Sequence, residues 1–190
     1  MSSGFSRKSE RSIHHWHVWD LIEGSYRSPD GEEFVRTFVR SPGAVSVIAV
    51  DESVMPPTVV LIRQWRAAME EVMWEVPAGM RDKDGEDPAQ TARRELLEEV
   101  GIEVASIELL TVFHPSVGIT DGSHHIYLAR GLTFVGAHTE GPEEDHLVVE
   151  HIPLPTAMAM VWDGTITASS AVIGLLMTAA RLGVSTLPSS

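Results

Sequence analysis

The sequence contains no cysteine, which excludes disulfides, thiolate nucleophiles and cysteine-ligated zinc, and which is compatible with a cytoplasmic setting. It also lacks basic charge. Fourteen Lys and Arg against 27 Asp and Glu leave a net charge of −13, so a broad basic face for nucleic acid is not expected. A small anionic ligand would have to be met by metal ions and local arginines. Long hydrophobic runs are missing as well. The longest, Ala168 to Leu182, is interrupted by Ser169, Ser170 and Thr178 and falls short of the ~20 residues that cross a bilayer, so no membrane span is expected. There is no internal repeat and no low-complexity segment. Residues 1–12 have no apolar core of the kind a signal peptide needs, so export is not expected and the stretch reads as a flexible tail.

What remains is 190 residues, 43% hydrophobic, with mean hydropathy +0.02, enough for one substantial core. His17 to Ile22 and Glu33 to Arg40 read as strands around the turn Ser28-Pro29-Asp30-Gly31, where Pro presets φ and Gly admits positive φ. Ala44 to Val50, Thr58 to Trp65 and Trp74 to Pro77 follow as central strands. Ile107 to Phe113, His124 to Ala129 and Leu147 to Pro153 read as further strands. A short helix is expected from Thr156 to Trp162, and a C-terminal one is stopped by Gly183.

Between them stands one strongly marked helix. Asp87 suits the N-cap, Pro88 the first helical position and Gly101 the left-handed position after the end. Ala89, Ala92, Leu96 and Val100 fall on one apolar stripe, while Glu95, Glu98 and Glu99 share the adjacent arc. Carboxylates three and four apart repel by a few tenths of a kcal/mol per pair, and only Arg94 flanks them closely. Hard divalent cations bind such oxygens and commonly share their remaining positions with substrate phosphates. A metal–diphosphate site and a solvated acidic face are the two readings of this arc.

The segment from Gly79 through Glu86 and Arg94-Glu95-Leu96-Leu97-Glu98-Glu99-Val100-Gly101-Ile102 closely resembles the Nudix box, with six residues instead of the usual five between Gly79 and Glu86. Arg63-Gln64-Trp65-Arg66, Trp74 to Gly79, Phe113 to Gly118 and Glu143-Glu144-Asp145 further resemble the ADP-ribose pyrophosphatase branch, with Val117 where that branch usually has proline. The resemblance implies an α/β fold, a Nudix-type α/β/α sandwich with a mixed sheet plus an N-terminal β-hairpin accessory region. It divides the chain into a tail at 1–12, accessory strands at 13–42 and a hydrolase domain at 43–185.

The resemblance also implies roles. Glu95 and Glu99 would ligate metal, Glu98 would be a further ligand or organise water, and the carbonyl of Ala78 would be a backbone ligand. Arg94 would hold the cluster, and Glu86 would support it. In the acidic loop Thr139 to Asp145, Glu144 aligns as a ligand, with Glu143 and Glu140 as candidates for the base. Arg63, Arg66, Glu75 and Gly79 are expected to meet substrate, the arginines because planar guanidinium groups suit phosphate oxygens; ordinary surface arginines are the alternative for both. Trp16, Trp19 or Trp65 would stack on a purine or belong to the core. Mg²⁺ is the expected cofactor, with Mn²⁺ as a substitute, and a homodimer is implied.

The activity so implied is hydrolysis of a nucleoside diphosphate sugar, foremost ADP-ribose to AMP and ribose 5-phosphate. Another nucleotide sugar such as GDP-mannose, a dinucleotide, or a ligand-binding module without turnover are the alternatives. His14-His15-Trp16-His17 and His124-His125 lack the i, i+4 spacing of a helical zinc pair. Ser169-Ser170 has no nucleophile elbow.

Overall fold

The computed structural model describes residues 4–136 and 146–185. The chain divides into two compact units, one comprising residues up to Gly43 together with Phe113–Ser123, the other Ala44–Val112 and the described residues from His124 onward.

The first unit is a three-stranded antiparallel sheet of β1 (Ser6–Trp16), β2 (Trp19–Arg27) and β3 (Glu33–Arg40), in that order. The Ser28–Gly31 turn forms as its residues dictate: Gly31, at φ 89°, donates its N–H to the Ser28 carbonyl at 3.0 Å. The tail expected over residues 1–12 is corrected here, since β1 begins at Ser6. Every residue of β1 is exposed, so the strand has no apolar alternation to betray it. Backbone pairing with β2 and cross-strand ion pairs hold it, among them Arg11 with Glu23 at 2.8 Å, Arg40 with Glu10 at 2.8 Å, and Lys8 with Glu33. The first expected strand also shifts: His17 occupies the β1–β2 turn at φ 51°, and β2 starts at Trp19.

The second unit is built on a seven-stranded mixed sheet of β4 (Ala44–Asp51), β5 (Thr58–Arg66), β6 (Glu71–Glu75), β7 (Ala78–Met80), β8 (Ile102–Phe113), β9 (His124–Phe134) and β10 (Val148–Pro153). The strand path is β10-β5-β4-β9-β8, with β6 paired to β5 and β7 to β4. β4 and β9 run parallel, whereas β4 pairs antiparallel with β5 and β7. Of the strand expected at Trp74 to Pro77, only Trp74 and Glu75 are extended, as the end of β6, because the chain bends at Val76-Pro77 before β7 begins.

Helices cover both faces, which is why β4 is buried almost end to end and reads as a continuous apolar run. Val45, Val47 and Ala49 pack with Ala92, Leu96 and Val100 of α1 (Pro88–Val100). On the opposite face, Ile48 and Ile126 meet α3 (Ser169–Arg181) so closely that a Cβ on Gly174 would lie 2.4 Å from Ile48 Cδ1. The short α2 (Leu154–Trp162) packs against α3, β10 and β5. Among the described residues no helix is long and apolar enough to cross a membrane.

Candidate active site

The acidic helix is fixed at both ends by local chemistry. The Asp87 side chain accepts the Ala89 N–H at 2.8 Å, Pro88 supplies a preset φ, and Gly101 at φ 66° donates its N–H to the Leu97 carbonyl at 3.0 Å. With Ala92, Leu96 and Val100 packed on the sheet, the arc bearing Glu95, Glu98 and Glu99 turns toward β7 and the loop behind it.

Glu99 is 5% exposed and accepts the Ala78 N–H at 2.9 Å through Oε2. Glu95 lies against Gly79 so closely that a Cβ there would come within 2.0 Å of its carboxyl carbon. Gly79, expected to meet substrate, is thus the cradle of Glu95. Arg94 gathers the rest: Nη1 stands 2.7 Å from Glu95 Oε1 and 2.9 Å from Glu98 Oε2, and Nη2 lies 3.3 Å from both Glu86 Oε2 and Asp82 Oδ1. Thr91, fully buried, donates its hydroxyl to Glu86 at 2.8 Å. Burial alone would raise the Glu86 carboxyl, but the hydrogen bonds from Thr91 and Arg94 outweigh it and hold it below its usual value. Asp82 and Thr91 were not foreseen from sequence: only the folded loop brings them to Arg94 and Glu86.

Burial pushes Glu95 up to about 7, with the neighbouring Glu98 and Asp82 adding to the rise and Arg94 opposing it. Arg94 therefore compensates its ionised form only in part. That partial compensation, the all-oxygen donor set and the cradle at Gly79, which a Cβ would fill, fit a hard divalent cation. Among the described residues no three of His, Asp and Glu converge on one point, because Arg94 draws two of the carboxylates to itself.

A testable consequence follows for stability. A carboxyl whose folded value is raised stabilises fully below its unfolded value of 4.5, and that contribution is lost as pH climbs through about 7. In chelator, the melting temperature is expected to fall between pH 5 and 7.5, and Glu95→Gln is expected to flatten that slope. An unchanged slope in the variant would contradict the assignment.

The other candidates sit elsewhere in the second unit. Arg66 forms a bidentate pair with Glu75, at 2.7 and 2.9 Å. Arg63 Nε approaches Glu150 at 2.9 Å, a close charge contact and not an aligned hydrogen bond, and its guanidinium covers the Trp74 ring at 5.2 Å. Both arginines are thus engaged with carboxylates in this structure. Trp65 is 45% exposed. In the first unit, Trp16 lies 6.0 Å from Trp19 and stacks on His14. A cavity of about 510 Å³ there is lined by Tyr26, Phe34, Arg36, Phe38, Val117 and Asp121 among others. Glu140, Glu143 and Glu144 fall outside the described residues.

Residues 40–163 match the model of the NUDIX domain. An ADP-ribose pyrophosphatase of Mycobacterium tuberculosis is 33% identical over 90% of this chain and 82% of its own length. A CMP-5'-(N-acetyl-N-hydroxy-3-aminopropyl)phosphonate hydrolase of Streptomyces rubellomurinus is 34% identical over 89% of this chain and 79% of its own. The solved structure of an ADP compounds hydrolase superposes with a TM-score of 0.81 at 19% identity, covering 94% of each chain, which establishes the shared fold.

Proposed function

The chain belongs to the Nudix hydrolase family, and on that premise we propose that it uses Mg²⁺ to hydrolyse the diphosphate linkage of ADP-ribose, giving AMP and ribose 5-phosphate. The observation that carries this reading is the seating of Glu95 on Gly79 beside the Glu99–Ala78 bond, which sets hard oxygen donors around one edge of α1. Members of the family generally use divalent cations. Glu95, Glu98, Glu99 and the Ala78 carbonyl would hold such a cation, with Glu144 as a further ligand. Bound there, it would neutralise charge developing on the diphosphate and acidify a water.

The chain's own residues do the rest. The Ala78 N–H fixes the Glu99 carboxylate in orientation, while Arg94, anchored on Glu86 and Asp82, keeps Glu95 and Glu98 in reach without closing the site. A base from Glu143 or Glu140 would take the water's proton. Arg63 and Arg66 would meet phosphate oxygens after leaving Glu150 and Glu75, an exchange of one carboxylate partner for another anion. We also infer a homodimer. It is supported by β1, a fully exposed strand at the edge of its sheet, with β2 its one strand partner among the described residues. Sedimentation equilibrium tests it, and a monomer at micromolar concentration would refute it.

A substrate panel with Mg²⁺ decides the substrate. It sets ADP-ribose against GDP-mannose, a dinucleoside diphosphate and a CMP-linked phosphonate. The last is included because of the Streptomyces relative's activity and because Val117 stands where proline is usual. ADP-ribose is expected to lead by at least about tenfold in kcat/KM, the discrimination that a few pocket contacts give. Preference for the cytidine compound would transfer the assignment to that substrate. Absence of turnover of every diphosphate would favour a binding module.

A further inference from the structure

Behind β7 lies a polar pair that the proposed chemistry does not use. Ser46, in the middle of the sheet and fully buried, places its hydroxyl 2.7 Å from Nε2 of His124 at the start of β9. A hydroxyl in an apolar core is costly unless it is hydrogen-bonded, and here the imidazole satisfies it. Burial lowers the ring to about 4, opposed by the Val45 carbonyl, so the ring is neutral at physiological pH. A neutral imidazole carries one N–H and one acceptor nitrogen, and the Ser46 hydroxyl can both donate and accept, so the two groups satisfy one another at 2.7 Å.

On its other side, Ser46 stands opposite Ala78 in the β4–β7 ladder. The Val47 N–H donates to the Pro77 carbonyl at 2.9 Å, whereas the Ala78 N–H points away from β4 and donates to Glu99. Ser46 and Ala78 therefore form the closer, non-hydrogen-bonded kind of pair, with side chains adjacent on one face. The next residue, Gly79, receives Glu95. Ser46 is thus adjacent to the backbone that holds Glu99 and one residue removed from the one that seats Glu95.

We infer that the Ser46–His124 hydrogen bond is a positioning element, fixing the Ala78–Gly79 segment so that Glu95, Glu99 and the Ala78 carbonyl face a common cation. The inference rests on the metal-dependent reading above. Core packing alone would be served by an aliphatic residue at position 46, whereas a fully satisfied polar pair sets one arrangement of the three strands β7, β4 and β9.

The test compares wild type with Ser46→Ala, His124→Leu and His124→Gln, measuring Mn²⁺ affinity of the substrate-free protein by electron paramagnetic resonance and hydrogen exchange of the Ala78 amide by NMR. Ser46→Ala and His124→Leu are expected to weaken Mn²⁺ binding about 10- to 100-fold, as loss of support behind a metal ligand does. They are also expected to speed Ala78 exchange and to lower kcat with KM little changed. His124→Gln, whose amide oxygen can accept from Ser46, is expected to recover most of the affinity. Wild-type Mn²⁺ affinity and Ala78 protection in folded Ser46→Ala would overturn the inference alone, and because that variant removes a single oxygen it decides even if His124→Leu does not fold. Absence of Mn²⁺ binding by the wild type would overturn the underlying metal reading.

Discussion

Glu99→Gln is expected to lower kcat about 10³-fold while leaving the melting temperature within a few degrees of wild type, the loss associated with one strong electrostatic contact to the reacting centre. Glu99 is buried and held by the Ala78 N–H at 2.9 Å. Glutamine has the same shape and retains an oxygen for that N–H, so the β7–α1 contact survives. What disappears is the negative charge, which a structural acceptor does not need and a metal ligand does. Glu98→Gln is a useful companion: Glu98 is more exposed and, among the described residues, is held by Arg94 at 2.9 Å, so its expected loss is smaller, about 10²-fold. Steady-state kinetics at saturating Mg²⁺ alongside a thermal melt separate the two effects. Activity within threefold of wild type in both variants would remove the carboxylates from the mechanism.

Gly79→Ala comes second in size. The added Cβ would sit 2.0 Å from the Glu95 carboxyl carbon and 2.2 Å from one of its oxygens, well inside any permitted contact. The side chain, not the backbone, must give way, because Gly79 is tied to Val45 in the β4–β7 ladder. Glu95 is 13% exposed and its carboxylate stays near Arg94, so the displaced group is driven onto the guanidinium and out of the cation's reach. Activity is expected to fall about 10²-fold or more, accompanied by an apparent Mg²⁺ requirement raised about tenfold, the scale on which disturbed ligand geometry acts. A plain folding defect would lower the active fraction without moving the Mg²⁺ requirement. Titration of activity against Mg²⁺ at matched folded concentration therefore distinguishes the two. An unshifted Mg²⁺ curve would mean that Glu95 does not need its seat on Gly79.

How much of this was legible beforehand depended on the range of the determining interaction. The limits of α1 follow from Asp87, Pro88 and Gly101, each acting within a few residues of itself, and the helix spans Pro88–Val100 as expected. The nearly unbroken apolar runs of β4 and β5 likewise record burial that the chain carries locally. By contrast, β1 escapes because its eleven exposed residues have no buried face, and its partners in β2 and β3 are apparent only once the sheet exists. In the site, Arg94 and Glu98 are four residues apart and legible as a helical pair. Asp82 reaches Arg94 only through the loop from Met80 to Glu86, whose path no periodicity encodes. Ser46 and His124, far apart in sequence, meet because β4 and β9 run parallel, and Gly79 faces Glu95 because β7 pairs with β4 in one register. Arg63 and Arg66 are legible as strand-end arginines suited to phosphate, whereas their ion pairs with Glu150 and Glu75 depend on neighbouring strands.

The central claim, that this acidic helix serves metal-dependent cleavage of a diphosphate, is tested most directly by incubating the protein with ADP-ribose, with Mg²⁺ in one sample and excess chelator in the other, and following both by ³¹P NMR. The account predicts that the diphosphate resonances give way to AMP and ribose 5-phosphate with Mg²⁺ and persist in chelator. Intact ADP-ribose in both samples, or equal cleavage in both, would contradict it.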